Sequence, residues 1–344
     1  MNIKEPSLNS EIALYHCNSR IKELEKSQLP EHVDSQYIKN LNANIFQDMA
    51  SLGIEYPAGQ FRAPSPVGDL NISLRPLSNG ASIYCMRSFM DDKAKARFEN
   101  VLDEIDASRY GKMTTADITK KLSELYTALD YTHPFVDGNS RTFRTFTRQV
   151  AKASGYELDW NKTAQLASRR DDLYCARALG AARQAISDPS QKQFEDYIRN
   201  MMEDINYPSP RKELGELFDS LHMITPFRAL EFKAQIQKSI DCAGNDARKF
   251  ERDCTARLAE LGGKFPEIKN DMLQASAALQ AEFKRHEPLK AYSMSLRVLL
   301  PAYGDLLNQG HTNLQQHQLE NSLQNRVAAD KKSHQHSKAP ELER

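Results

Sequence analysis

A chain of 344 residues, 40% hydrophobic and 27% charged, is long enough for two or three domains with packed cores under a heavily solvated surface. Its 46 Lys and Arg balance 46 Asp and Glu, which excludes a global basic field that would gather nucleic acid or an anionic membrane. No apolar run approaches the roughly 20 residues of a bilayer span, and the opening MNIKEPSLNSE lacks the apolar stretch of a secretory signal.

The five cysteines, Cys17, Cys85, Cys175, Cys242 and Cys254, form no C-x-x-C pair and no zinc-spaced cluster with histidine. Reduced thiols in a cytosolic compartment are expected. Residues 1–44 read as an N-terminal helical segment. Tyr37, Leu41, Ile45 and Met49, spaced by four, predict a helix over 36–52. Two β-prone pieces, Leu70–Leu74 and Ser82–Phe89, flank Pro76 and the turn-like Ser78-Asn79-Gly80 and predict a small hairpin. A strong helix follows from Thr115 to Tyr131. Thr114 and Asp117 stand at its start with capping-box spacing, and Ile118, Leu122, Leu125, Tyr126 and Leu129 form its stripe. After a loop at 133–138, a second helix begins near Asn139 and ends before Gly155, with Phe143, Phe146 and Val150 on its buried face. Residues 206–307 read as a separate helical domain. Its apolar stripes include Leu214, Leu217 and Leu221, then Phe232, Ile236 and Ile240, then Leu296, Leu299 and Leu300, and Pro226, Pro266, Pro288 and Pro301 cut or kink its helices. The polar stretch 308–344 is expected to be disordered.

One stretch carries chemistry: His133-Pro134-Phe135-Val136-Asp137-Gly138-Asn139-Ser140-Arg141-Thr142-Phe143-Arg144. A glycine before a helix start leaves backbone N–H groups and the positive end of the helix dipole free for an anion. Arg141 and Arg144, three apart on one helix face, suit a polyphosphate. Asp137 is a hard oxygen ligand beside the same place, as magnesium on phosphates requires. His133 is the one side chain there that titrates near neutrality and can take a proton from a hydroxyl.

This stretch resembles the Fic (Fido) signature HPFx[D/E]GN[G/K]RxxR. The segment Ala58-Gly59-Gln60-Phe61-Arg62 resembles the family's upstream A-G-x-[YF]-R, and Gly155 to Trp160 resembles its helix exit. The resemblance covers about residues 45–200 and implies a mainly all-α fold, a helical bundle with a small β-hairpin flap, over a catalytic domain at 45–205. It implies a protein adenylyltransferase that moves AMP from ATP to a Tyr, Thr or Ser hydroxyl of a target protein and releases pyrophosphate. His133 would be the general base and Asp137 the magnesium ligand. Gly138, Asn139 and Ser140 would form the anion hole, and Arg141 and Arg144 would hold the outer phosphates. Ser82, Ile83, Tyr84, Cys85 and Met86 stand where the family's flap clamps the target. Ser140 departs from the usual glycine, but it is not the lysine of Doc-like kinases. Transfer of phosphate or phosphocholine, and a non-catalytic nucleotide-binding scaffold, are the alternatives.

The family's restraining motif, [S/T]xxxE[G/N], has no full match. Ser7–Glu11, Ser51–Glu55 and Ser209–Glu213 have the spacing, but Ile12, Tyr56 and Leu214 follow. The chain is therefore either unrestrained or held by a separate antitoxin-like partner. Neither nucleic acid nor membrane is an expected partner. The expected place of action is the bacterial cytoplasm, or a host cell after specialised secretion.

Overall fold

The computed structural model describes residues 7–66, 71–204 and 212–306. Local rules account for the element boundaries. Helix α1 (Glu11–Leu24) is followed by α2 (Ser35–Phe46), which starts where Asp34 accepts the Tyr37 N–H at 2.8 Å. The predicted helix over 36–52 thus ends early: α2 stops at Phe46, and a 3₁₀ turn at Ala50–Leu52 closes on Gly53 at φ 70°.

Strands β1 (Ile72–Pro76) and β2 (Ser82–Met86) pair antiparallel, with Leu74 opposite Tyr84 and Arg75 opposite Ile83. The first strand lies farther along than Leu70–Leu74, and Leu70 itself is outside the described residues. The second strand stops short of Phe89 because the Ser88 N–H donates to Tyr131 O at 2.9 Å, turning the chain toward the helical core.

Helices α3 (Asp92–Asp103) and α4 (Ala107–Tyr110) lead to the central pair, α5 (Thr115–Thr132) and α6 (Asn139–Ala153). Thr114 Oγ1 accepts from the Asp117 N–H, as the capping spacing predicts. Ile118, Leu122, Tyr126 and Leu129 of α5 are fully buried against Phe143, Phe146 and Val150 of α6. Each such side chain contributes roughly 1.5–3 kcal/mol by leaving water. Beyond them come β3 (Tyr156–Leu158), α7 (Ala167–Ser187), α8 (Glu195–Asp204), α9 (Leu214–Ser220) and β4 (Ile224–Pro226).

The fold is mainly helical, with small antiparallel β elements. Two compact units divide it, residues 1–224 and 225–344, where a boundary at 205/206 was expected. The shift has a simple cause. Leu214, Leu217 and Phe218 of α9 pack in the same core as α5 and α6, so this stripe belongs to the first unit. The second unit holds α10 (Phe227–Ala243), α11 (Ala247–Lys264), α12 (Lys269–Arg285) and α13 (Pro288–Leu306) around its own core. Pro226, Pro266 and Pro288 stand at breaks between elements, whereas Pro301 stays inside α13. The polar stretch 308–344 lies outside the described residues.

Candidate active site

The loop between α5 and α6 is held from both sides. His133 caps α5 in a left-handed conformation, φ 45° and ψ 57°, with its N–H still donating to Leu129 O at 3.1 Å. Its carbonyl accepts from Arg62 Nε at 2.8 Å, while the Arg62 N–H donates to Pro134 O at 2.7 Å. The same guanidinium donates to Ser88 O at 2.6 Å, joining the loop to the chain leaving the hairpin. Phe135 is fully buried with its ring 5.3 Å from that of Phe61. It is the anchor that pins the loop to the core.

Asn139 does a different job from the one its position suggests. Its Oδ1 accepts the Phe135 N–H at 3.0 Å and its Nδ2 donates to Phe135 O at 2.9 Å. The side chain is therefore committed to closing the loop, and only its backbone is left for an anion. Gly138 has φ 73°, and a Cβ there would lie 2.4 Å from the Phe46 ring, so backbone conformation and space both demand glycine. Tyr56 Oη donates to Asp137 O at 2.8 Å, and Asn42 Nδ2 donates to both Tyr56 Oη and Thr142 Oγ1 at 3.0 Å.

Helix α6 opens with the Thr142 N–H donating to Gly138 O at 3.1 Å. The N–H groups of Asn139, Ser140 and Arg141 thus have no intrahelical acceptor and offer an anion site. The two motif arginines do not converge there in this structure. Arg141 stacks 4.8 Å from the Phe46 ring centre and donates from Nη1 to Leu8 O at 3.0 Å and Cys17 Sγ at 3.5 Å. Arg144 lies over Trp160, 5.3 Å from the ring centre, with a buried Nε that has no hydrogen-bond partner among the described residues. That orphaned donor, one turn into α6, is a place for an acceptor the protein does not itself supply.

Ser140 has a neighbour that sequence reasoning missed. Arg177 of α7 donates from Nη1 to Ser140 Oγ at 3.4 Å and forks onto Asp130, Nε to Oδ2 at 3.0 Å and Nη2 to Oδ1 at 2.5 Å. Both partners of this ion pair are buried. Burial opposes ionisation of Asp130, but Arg177 outweighs it and holds the carboxyl at about 2. Burial and the nearby Arg87 push His133 down to about 3; Arg177 and Arg75 add to this, and Asp130 opposes them. The imidazole is therefore neutral at ordinary pH, as a proton acceptor must be.

Asp137 is exposed, and its Oδ1 accepts the Gly138 N–H at 2.5 Å. Among the described residues no group of three or more His, Cys, Asp or Glu is placed to hold a metal. Of the hairpin residues, Ser82 and Tyr84 are exposed, while Ile83, Cys85 and Met86 are buried and pack the strand to its neighbours. Glu11 and Glu55 are exposed, and Glu213 pairs with Arg183, so none of the three restrains Arg144. Asp130 did leave a sequence signal, a carboxylate set among the buried residues Leu129 and Tyr131. Arg177, amid the alanines of α7, left none that points at this site.

Comparison with known proteins adds family context. Residues 32–151 match the model of the Fic/DOC family. A curated protein of Bartonella henselae (strain ATCC 49882 / DSM 28221 / CCUG 30454 / Houston 1), named protein adenylyltransferase, is 22% identical over 175 residues. The match covers 50% of this chain and 30% of that protein, so the chain spans less than a third of its relative's length. Among solved structures, a BepC effector of Bartonella tribocorum with bound AMPPNP is 16% identical; the match covers 57% of this chain and 87% of that one, with a TM-score of 0.34. The N-terminal Fic domain of a Bep effector of Bartonella quintana with bound ADP is 15% identical, over 64% and 86% of the two chains, with a TM-score of 0.39.

Proposed function

From residues 32–151 as a domain of the Fic/DOC family, and hence a transferase, we propose that this chain moves AMP from ATP to a Tyr, Thr or Ser hydroxyl of a target protein. The observation that carries the reading is His133 fixed beside a helix start whose first N–H groups have no intrahelical acceptor, with a buried arginine Nε one turn further on that has no partner among the described residues. In this reading the acceptor hydroxyl gives its proton to the His133 imidazole. Its oxygen attacks the α-phosphorus, the bond to the bridging oxygen breaks, and pyrophosphate leaves. The α6 N–H groups, with Arg144 and Arg141, hold the phosphates where negative charge develops. Arg141 has to exchange the Leu8 carbonyl for phosphate. Negative phosphates bound at the start of α6 also raise the affinity of His133 for the proton.

Magnesium typically takes one or two carboxylates and completes its shell with substrate phosphates and water. The lone exposed Asp137 fits that demand, and a bound Mg²⁺ would neutralise charge on the phosphates. Tyr84 and Ser82 offer the outward hairpin face to the target. Arg144 has no carboxylate partner among the described residues, so we assign any restraint to a separate inhibitory protein. No described helix is long and apolar enough to cross a membrane. The proposed place of action is the producing cell or one that receives the protein by specialised secretion.

ATP labelled separately at the α- and γ-phosphates tests the reaction, with a cell lysate as acceptor. Label retained from α, and lost with His133→Ala, supports AMP transfer. Label from γ alone means a kinase, and label from neither means a scaffold or another donor.

A further inference from the structure

The hairpin carries two arginines that the proposed reaction leaves unused. Arg75 lies opposite Ile83, and Arg87 follows β2 by one residue with its N–H on Asn71 O. Alternation along the strand puts both on the face of Ile83 and Cys85, which packs against Cys175 and Ala178 of α7. The Arg75 guanidinium rests 4.8 Å from the Tyr174 ring centre. Among the described residues, its buried Nη1 has no hydrogen-bond partner, and neither has the buried Nε of Arg87.

Arg87 adjoins Ser88, whose carbonyl shares the Arg62 guanidinium with the His133 carbonyl, and the charges of Arg87, Arg177 and Arg75 all disfavour protonation of His133. The carboxylates in their field are already engaged. Asp130 gives both oxygens to Arg177, and Asp137 takes the Gly138 N–H. Among the described residues, Arg75 and Arg87 thus have no ion-pair partner, and each keeps a buried donor unpaired. Burying like charges without a counter-ion is costly, so the arrangement calls for an anion from outside the chain.

We infer that Arg75 and Arg87 read a carboxylate on the target, an Asp or Glu side chain beside the acceptor hydroxyl. This rests on the proposed transfer reaction and extends it to the choice of substrate. A phosphate of the nucleotide is the rival anion. It is disfavoured because α6 brings its own phosphate donors, whereas both arginines belong to the hairpin, on its α7-facing side behind the Ser82 and Tyr84 face offered to the target. A paired guanidinium and carboxylate supply both charge and geometry for such a selection.

The test uses the full chain and fluorescent peptides with a central Tyr, Thr or Ser flanked on both sides by Glu or by Gln. Anisotropy without nucleotide is expected to show the Glu member of at least one pair binding about tenfold tighter than its Gln counterpart. Arg75→Gln and Arg87→Gln should each reduce that ratio to about threefold or less, while Arg75→Lys keeps most of it. Circular dichroism checks that each variant is folded. Equal affinity for Glu and Gln peptides, or no binding of any, overturns the inference. So does weaker ATP binding in the Gln variants with the peptide ratio unmoved, which would give the pair to the nucleotide. Peptide discrimination without label transfer from ATP would instead overturn the proposed reaction and leave the carboxylate site standing.

Discussion

The imidazole of His133 is half-buried in the positive field of nearby arginines, and that placement has a thermodynamic signature of its own. In the unfolded chain a histidine titrates near its ordinary value of about 6.5. The folded chain holds His133 down at about 3, so between these values the unfolded state binds a proton that the folded state refuses. Stability from this residue is therefore intact above the upper value and lost progressively as the pH falls through the window. His133→Gln removes the titration. Melting midpoints at about pH 7.5 and about pH 4.5 should fall further for the native chain than for this variant. An equal fall in both would show that the imidazole is not held neutral.

At the scale of elements, the hairpin is fixed at its tip as well as its base. Asp171 of α7, buried, accepts from the Ser78 N–H at 3.1 Å and also from Ser78 Oγ. A bond to a charged partner is worth about 1.5–3 kcal/mol, enough to hold a two-stranded piece that is marginal alone. Asp171→Ala should speed amide exchange across Ile83–Cys85 and raise KM for the target with little change in KM for ATP. Unchanged exchange in the hairpin would mean that the latch contributes nothing.

Legibility in the sequence follows the same distinction between local and distant signals. The stripe and cap of α5 place it almost to the residue, because both depend on neighbours within one turn. The loop at 133–138 is equally legible as a contiguous motif. The exact strand bounds are not, since β2 ends where Ser88 finds Tyr131. The Arg177–Asp130 pair, 47 residues apart in the chain, exists only once α7 packs beside α5. The task of Asn139 is not legible in the sequence, because a bidentate grip on the Phe135 backbone depends on the closed loop.

At the scale of the whole chain, the buried clusters of residues 13–224 and 229–306 share no side chain. The stripe of Leu214, Leu217 and Phe218 looks the same in sequence whichever core receives it, which is why the boundary was misplaced. Separate cores predict separate folding. Fragments 1–224 and 225–344 should each give a helical dichroism spectrum and a cooperative melt, and together they should reproduce the transitions of the intact chain. A fragment that melts without cooperativity would show that its core is incomplete.

On the proposed reaction, Arg62 adds a constraint on which targets can be modified. One guanidinium spans the carbonyls of His133 and Ser88, so the imidazole and the base of the hairpin form a single rigid jig. If the target docks by adding an extended strand to the hairpin, its backbone has to conform to that jig. A hydroxyl inside a stable helix would first have to be unwound, with several backbone bonds given up together. The accessible acceptors are therefore those in loops and frayed ends of the target's native structure, and a partner that locks such a loop into a helix would protect it.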